Sequence, residues 1–343
     1  MQKFCDKLTT LLFLAAVPAS VGVVQAQSTR YAGASMELGI GARPLALGGA
    51  AAAMSNTGET FFYNPASLGL LHRPHVNLMY APTFGSLSDP MATYNYMGIS
   101  YPMPGGGVLA FNWTRFAVDD IPIYPELSGR AFSERNSNLA LRPDGTALGY
   151  FEDVEDVFYF SFAKALESIF SLGWWYGDLP FTMPIGVNFK LLRQKLGDAS
   201  ASGMGVDLGT MIKFNFGTLV HQRQLGDLSF GLSIKDITQT SVVWSTQHHD
   251  RIERTLLFGI AYNQPFVSHL TVNLFYTFAN RYERTNLAGI EIAYEKSAAI
   301  RVGVNETGLT AGAGIQWQRL IADYAFVNNA FEHVHRLSCS ILL

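Results

Sequence analysis

The chain has 343 residues, of which 48% are apolar, 13% aromatic and only 15% charged, with a formal net charge of −3. Its mean hydropathy of +0.14 is greasy for a soluble secreted protein but ordinary for a β-barrel whose outer wall meets lipid. The near-neutral charge argues against a nucleic-acid partner, and two cysteines, Cys5 and Cys339, do not make a disulfide framework.

Residues 1–26 read as a signal peptide. Lys3 and Lys7 give a basic start, an apolar stretch follows over residues 11–16, and Val24-Gln25-Ala26 supplies the small-residue cleavage site. No later apolar run reaches the roughly 18 residues of a spanning helix. Export without a helical anchor points to the outer membrane of a Gram-negative bacterium, reached by a Sec-type route. Cys5 leaves with the signal, so Cys339 stays unpaired in the last segment.

Residues 27–73 are glycine-rich and lack strand alternation; they read as a hatch or plug. Gly41-Ala42-Arg43, Gly48-Gly49-Ala50 and Asn64-Pro65-Ala66 stand out. This is not a phosphate loop, because the Gly-Lys-Ser/Thr ending and the preceding strand are missing.

From His75 onward one parity of residues is apolar or aromatic and the other small, polar or charged. Ile185, Val187, Phe189 and Leu191 oppose Gly186, Asn188 and Lys190; Met204, Val206 and Leu208 oppose Gly205, Asp207 and Gly209. A soluble sheet would cover its apolar parity with a second layer, and no segment supplies one. The reading is an all-β fold: a transmembrane antiparallel barrel over 74–343, closed because an open edge would leave backbone groups unpaired in hydrocarbon.

About fourteen strands can be placed. They lie near 74–81, 92–102, 106–116, 154–164, 181–194, 201–214, 227–236, 253–263, 268–279, 284–295, 298–306, 308–317, 319–326 and 332–343. With the N-terminus on the periplasmic side, 117–153 is a long outer excursion, and longer inner connections fall near 165–180 and 215–226, with a short helix over 167–175. Leu109, Phe111 and Trp113, Phe158, Phe160 and Phe162, Leu228 to Ile234 in alternation, Leu270 to Tyr276 in alternation, and Ile300, Val302 and Val304 form the lipid wall.

The opposite parity carries a polar network of Lys190, Asp207, Lys213, Lys235, Glu291, Arg301, Asp323 and Arg336, able to pair across the interior and anchor a plug. Interior glycines, among them Gly186, Gly209, Gly231, Gly289 and Gly303, leave space or admit close backbone approach. His248, His249 and Asp250, and His333 with His335, lack the converging ligands of a metal site; no cofactor is expected. The acidic run Glu152 to Asp156 reads as a solvated loop rim, lacking the turn glycine of a calcium loop. No nucleophile with an oriented base appears, so the protein is not read as an enzyme.

The early pattern of Gly41-Ala42-Arg43, Gly48-Gly49-Ala50 and Asn64-Pro65-Ala66 resembles the N-terminal hatch of FadL-like outer-membrane barrels, and within them the PorV/PorQ group. Late elements similar to that group are Gly205-Val206-Asp207-Leu208-Gly209, Arg301-Val302-Gly303, Asp323-Tyr324-Ala325 and His335-Arg336-Leu337-Ser338. The resemblance covers nearly all of the chain beyond the signal. It implies a fourteen-stranded barrel with its N-terminus folded inside, and Gly48, Gly49, Asn64, Pro65 and Ala66 as hatch-motif residues. Asn56-Thr57-Gly58-Glu59 stands where relatives often carry paired acids. For function the resemblance implies handling of exported proteins in type IX secretion, with secretion-machine subunits as partners. The alternative is a conduit for long-chain fatty acids or other hydrophobic ligands, and a third reading is a structural barrel without transport. Outer-membrane lipid is a partner in every case.

Overall fold

The computed structural model describes residues 32–343 apart from 87–88, 128, 172, 174–176, 268, 296 and 329–332; the expected signal peptide lies outside the described residues. The chain forms an antiparallel barrel. In chain order its strands are β1 (His75–Ser86), β2 (Asp89–Pro102), β3 (Gly107–Ile123), β4 (Gly149–Ser171), β5 (Asp178–Leu196), β6 (Ala199–Asn215), β7 (Asp227–Lys235), β8 (Ser241–Trp244), β9 (His249–Arg251), β10 (Thr255–Val267), β11 (Leu270–Asn280), β12 (Arg284–Tyr294), β13 (Ala298–Asn305), β14 (Gly308–Trp317), β15 (Leu320–Asn328) and β16 (His333–Leu342).

Each wall strand pairs with its chain neighbour, β7 pairs with β10, and pairing of β1 with β16 closes the ring. Short β8 and β9 continue the β7–β10 hairpin beyond a break at residues 236–240, with β8 rejoining β6 at 201–203. The wall therefore has fourteen strands, β1 to β7 and β10 to β16. Every expected strand is present, and the alternation that identified them sets the two faces.

Outward residues are exposed apolar side chains: Leu109 is 49% accessible, Phe160 47%, Ile300 63% and Val302 56%, while Asn188, Lys190, Asp207 and Glu291 on the other parity are at most 2% accessible. In water such a wall would be unstable; in hydrocarbon it is the favourable arrangement. Among the described residues no helix is long and apolar enough to cross a membrane.

The structure corrects several expected boundaries. β3 runs on to Ile123 and β4 starts at Gly149, so the long excursion is 124–148 rather than 117–153. The acidic run lies on β4 instead of a loop rim. There Glu152 accepts from Lys195 at 2.5 Å and Asp156 pairs with Arg115 at 2.8 Å. No helix covers the described part of 167–175, because β4 continues to Ser171 and keeps its ladder with β5 to Ser171↔Asp178. Phe170 against Leu179 and Ile169 against Pro180 sustain that ladder where helical propensity alone misled.

Segment 32–71 occupies the barrel interior as short helical turns, Ala34–Glu37, Ala42–Ala46, Gly58–Phe62 and Pro65–Leu70. None has the length to be stable alone. The wall holds them: Ile40, Leu47, Met54, Phe61 and Leu68 are all fully enclosed.

Candidate functional site in the barrel interior

The interior is built by backbone meeting backbone. Gly48 has φ of +70°, a left-handed conformation that disfavours a side chain, and any Cβ there would strike the Val304 main chain on β13. From the wall side, a Cβ on Gly303 would meet Gly48 and the Leu47 backbone, and one on Gly289 would lie 2.7 Å from Leu47 O. Gly48 N donates to Thr310 Oγ1 at 3.0 Å, and that hydroxyl donates to Ala46 O at 3.0 Å, tying the segment to β14. Gly49, the other glycine of the pair, has φ of +79° and only Leu287 nearby.

Asn64, Pro65 and Ala66 sit on the opposite wall. The Asn64 side chain accepts from Ala66 N at 3.1 Å, capping the turn Pro65–Leu70, and donates to Ala52 O at 2.8 Å and to Thr210 O on β6 at 3.1 Å. One amide thus caps a helical turn, joins two parts of the segment and holds the wall. Gly186 on β5 lies under the Pro65 backbone and Gly209 on β6 under Asn64 and Pro65. Of the two readings for the interior glycines, close backbone approach is the one observed.

The charged residues form two buried clusters rather than one network. In the first, Arg43 Nε and Nη2 each donate to Glu291 at 2.8 Å. Arg301 donates to Glu291 at 2.6 Å and to Asp323 at 2.6 Å, while Asn273 donates to Glu291 at 3.0 Å. Glu291 and Arg301 are register partners on β12 and β13; Arg301 reaches β15 by passing over Gly314, where a Cβ would crowd its guanidinium.

In the second cluster, Lys190 lies 2.8 Å from Asp207 and 2.5 Å from Asp236. Thr240 Oγ1 donates to Asp236 at 2.7 Å, and Asp236 N donates to Asp207 at 2.8 Å. Lys235 stands 3.6 Å over the Phe62 ring, a cation–π contact with the segment. Lys213 is separate, 3.2 Å from Asp227 and partly exposed at the barrel mouth. Arg336 donates to Thr83 at 3.2 Å and lies 5.7 Å from the Tyr94 ring.

Three participants escaped the sequence reading. Arg43 was visible only as part of a glycine motif. Asp236 follows Lys235 and by parity faces lipid, but its φ of +52° turns the chain inward at the β7 break, so consecutive residues both enter the lumen. Glu59 stood out only as a departure from family pattern. It is 2% accessible, its Oε1 has no partner among the described residues, and its side chain lies directly beneath Gly41. Burial, and then the neighbouring Asp323 carboxylate, push its carboxyl up to about 8, against the Ser338 hydroxyl, Arg43 and Arg301, which favour the charged form.

At the end of the barrel where β1 begins and β16 ends, a polar cavity of about 810 Å³ is lined by Arg43, Glu59, Lys213, Asn273, Glu291 and Asp323 among others. Apart from its lining stands an aromatic group beside the second charged cluster, Tyr159 being the register partner of Lys190. Phe61 packs 5.2 Å from Tyr159 and 6.0 Å from Tyr96, and Phe62 lies 5.3 Å from Tyr63.

His248 lies 3.0 Å from Asp250, and His335 shares a 2.7 Å hydrogen bond with Tyr324. Among the described residues no group of three or more His, Cys, Asp or Glu is placed to hold a metal ion.

No family model and no curated protein matches the chain. Solved barrels are similar in form. The P. putida toluene transporter TodX gives a TM-score of 0.47 at 12% identity, over 89% of this chain and 99% of that one. A FadL homologue from Pseudomonas aeruginosa gives 0.44 at 10% identity, over 86% and 96%. CdiB from Acinetobacter baumannii gives 0.40 at 9% identity, over 80% and 60%. The likeness is one of barrel form and transfers no function.

Proposed function

We propose that the protein is a non-enzymatic barrel of the outer membrane of a Gram-negative bacterium. It is exported by a Sec-type route with removal of residues 1–26, its residues 27–73 act as a hatch, and it serves as a FadL-like conduit for hydrophobic compounds. The observation that carries the reading is the buried aromatic group within the interior. Phe61, Phe62, Tyr96 and Tyr159 are all buried inside the barrel, packed against the N-terminal segment and apart from the cavity lining. Such a group suits an apolar chain, and the guanidinium and amide groups of the cavity suit a polar head. The test is uptake of a labelled long-chain fatty acid by cells with and without the gene. Loss of uptake on deletion supports the conduit; unchanged uptake removes it.

A second reading is handling of exported proteins in type IX secretion, as a PorV/PorQ-type barrel with secretion-machine subunits as partners. It is favoured by the residues resembling that group and by the many buried charges, which give the lumen no greasy tunnel from end to end. Retention of surface proteins in the periplasm of the deletion strain, with normal fatty-acid uptake, supports it.

A further inference from the structure

β4 and β5 outrun the barrel. The β3–β4 ladder ends at Gly107↔Lys164, whereas β4 and β5 stay paired for seven more rungs, from Ala165↔Pro184 to Ser171↔Asp178. A ribbon thus leaves the rim at the end where β1 begins, three-stranded while β6 pairs with β5 as far as Phe181↔Phe214 and two-stranded over its last three rungs. Among the described residues its β4 side has no partner strand.

The hydrogen-bond phase of that edge can be worked out. Gly197 N donates to Glu152 O across the β4–β5 pair, so Glu152 spends its main-chain groups on β5. The β4–β5 register is unbroken from Asp153↔Leu196 to Ser171↔Asp178. Even-numbered residues of β4 therefore bond β5, and Ala165, Glu167, Ile169 and Ser171 aim their N–H and C=O groups at the free side. Leu166, Ile169 and Phe170 are 41%, 63% and 57% accessible. The edge carries neither proline nor lysine, two devices that usually blunt an exposed strand.

We infer that Ala165–Ser171 is a docking edge that accepts an extended, basic strand from another protein at this face of the membrane, by β-augmentation. Hydrocarbon cannot satisfy the free main-chain groups, so lipid is a poor occupant. The charges select the partner. Glu167 on the edge and Asp178 at the ribbon's tip have no ion pair among the described residues, so a strand with Lys or Arg opposite Glu167 is complementary. A second copy offers no cation within Ala165–Ser171 to face Glu167.

The test uses the full chain in detergent micelles, a synthetic peptide alternating Val and Thr with a central Lys, and hydrogen exchange followed amide by amide. The peptide should slow exchange at Glu167 and Ile169 about tenfold, the worth of about one net hydrogen bond, and leave Leu166 and Ser168 unchanged. Ile169→Pro removes a free-side N–H without touching the β5 ladder and should abolish the effect; Glu167→Lys should weaken it. Three results overturn the inference: no change with peptide, Glu167 and Ile169 amides already as slow as Ser168 without it, or protection that rises with protein concentration alone. The last would assign the edge to a second copy.

Discussion

At the residue scale the interior depends on a few polar side chains whose partners are fixed. Glu291 pairs with two guanidiniums at once, so Glu291→Ala leaves Arg43 and Arg301 buried without their shared carboxylate, Arg301 keeping only Asp323. The expected loss is about 3–5 kcal/mol, checked by chemical denaturation in detergent. Glu59 behaves oppositely. Its carboxyl is pushed up to about 8 from an ordinary value of 4.5, so its contribution is fully present below about 4.5 and is lost as pH rises through about 8. Stability should fall across that window, and Glu59→Gln should flatten the fall; melting curves at pH 5, 7 and 9 would show an unchanged slope if the side chain were indifferent. Gly314→Val should resemble Glu291→Ala, since the added atoms occupy the route from Arg301 to Asp323.

At the element scale, the strands were legible because alternation with period two is strong wherever one face meets lipid and the other a packed lumen. What escaped depends on single dihedrals or distant contacts. The break after Lys235 is set by the positive φ of Asp236 and by pairing of β8 with β6, neither of which leaves a periodic trace. The continuation of β4 to Ser171 depends on β5 as partner, not on its own composition. The Asn64-Pro65-Ala66 motif was visible, but not its contacts: Asn64 reads as a turn residue, and only the fold shows its amide spanning Ala52 and Thr210. Two substitutions on neighbouring residues of β13 separate the faces. Val302→Arg, on the 56% accessible outer face, should cost about 2–4 kcal/mol near mid-bilayer. Gly303→Val should leave the wall paired yet displace the segment around Leu47 and Gly48, read as new protease cleavage within 32–71 while the folded barrel keeps its fast migration in unheated gels.

At the scale of the whole molecule, the wall is a barrel that encloses the N-terminal segment, with a cavity at one end and buried aromatic and charged groups side by side. The strands differ in length: β3 to β6 have 17, 23, 19 and 17 residues, while β13 to β15 have 8, 10 and 9. About 9–11 residues suffice for a tilted strand to cross, so the long side projects and the short side barely spans. The N-terminal segment is fixed to the short side through Gly48, Thr310 and the Arg43 cluster, and to the long side through Asn64. If the proposed conduit works by movement of this segment, tethering it must stop passage. The measurement is fatty-acid uptake by cells carrying Ala46→Cys and Thr310→Cys in a Cys339→Ser background, with the disulfide formed and then reduced. Uptake lost on oxidation and restored by reductant is the predicted result; equal uptake in both states, with the cross-link verified, would contradict it.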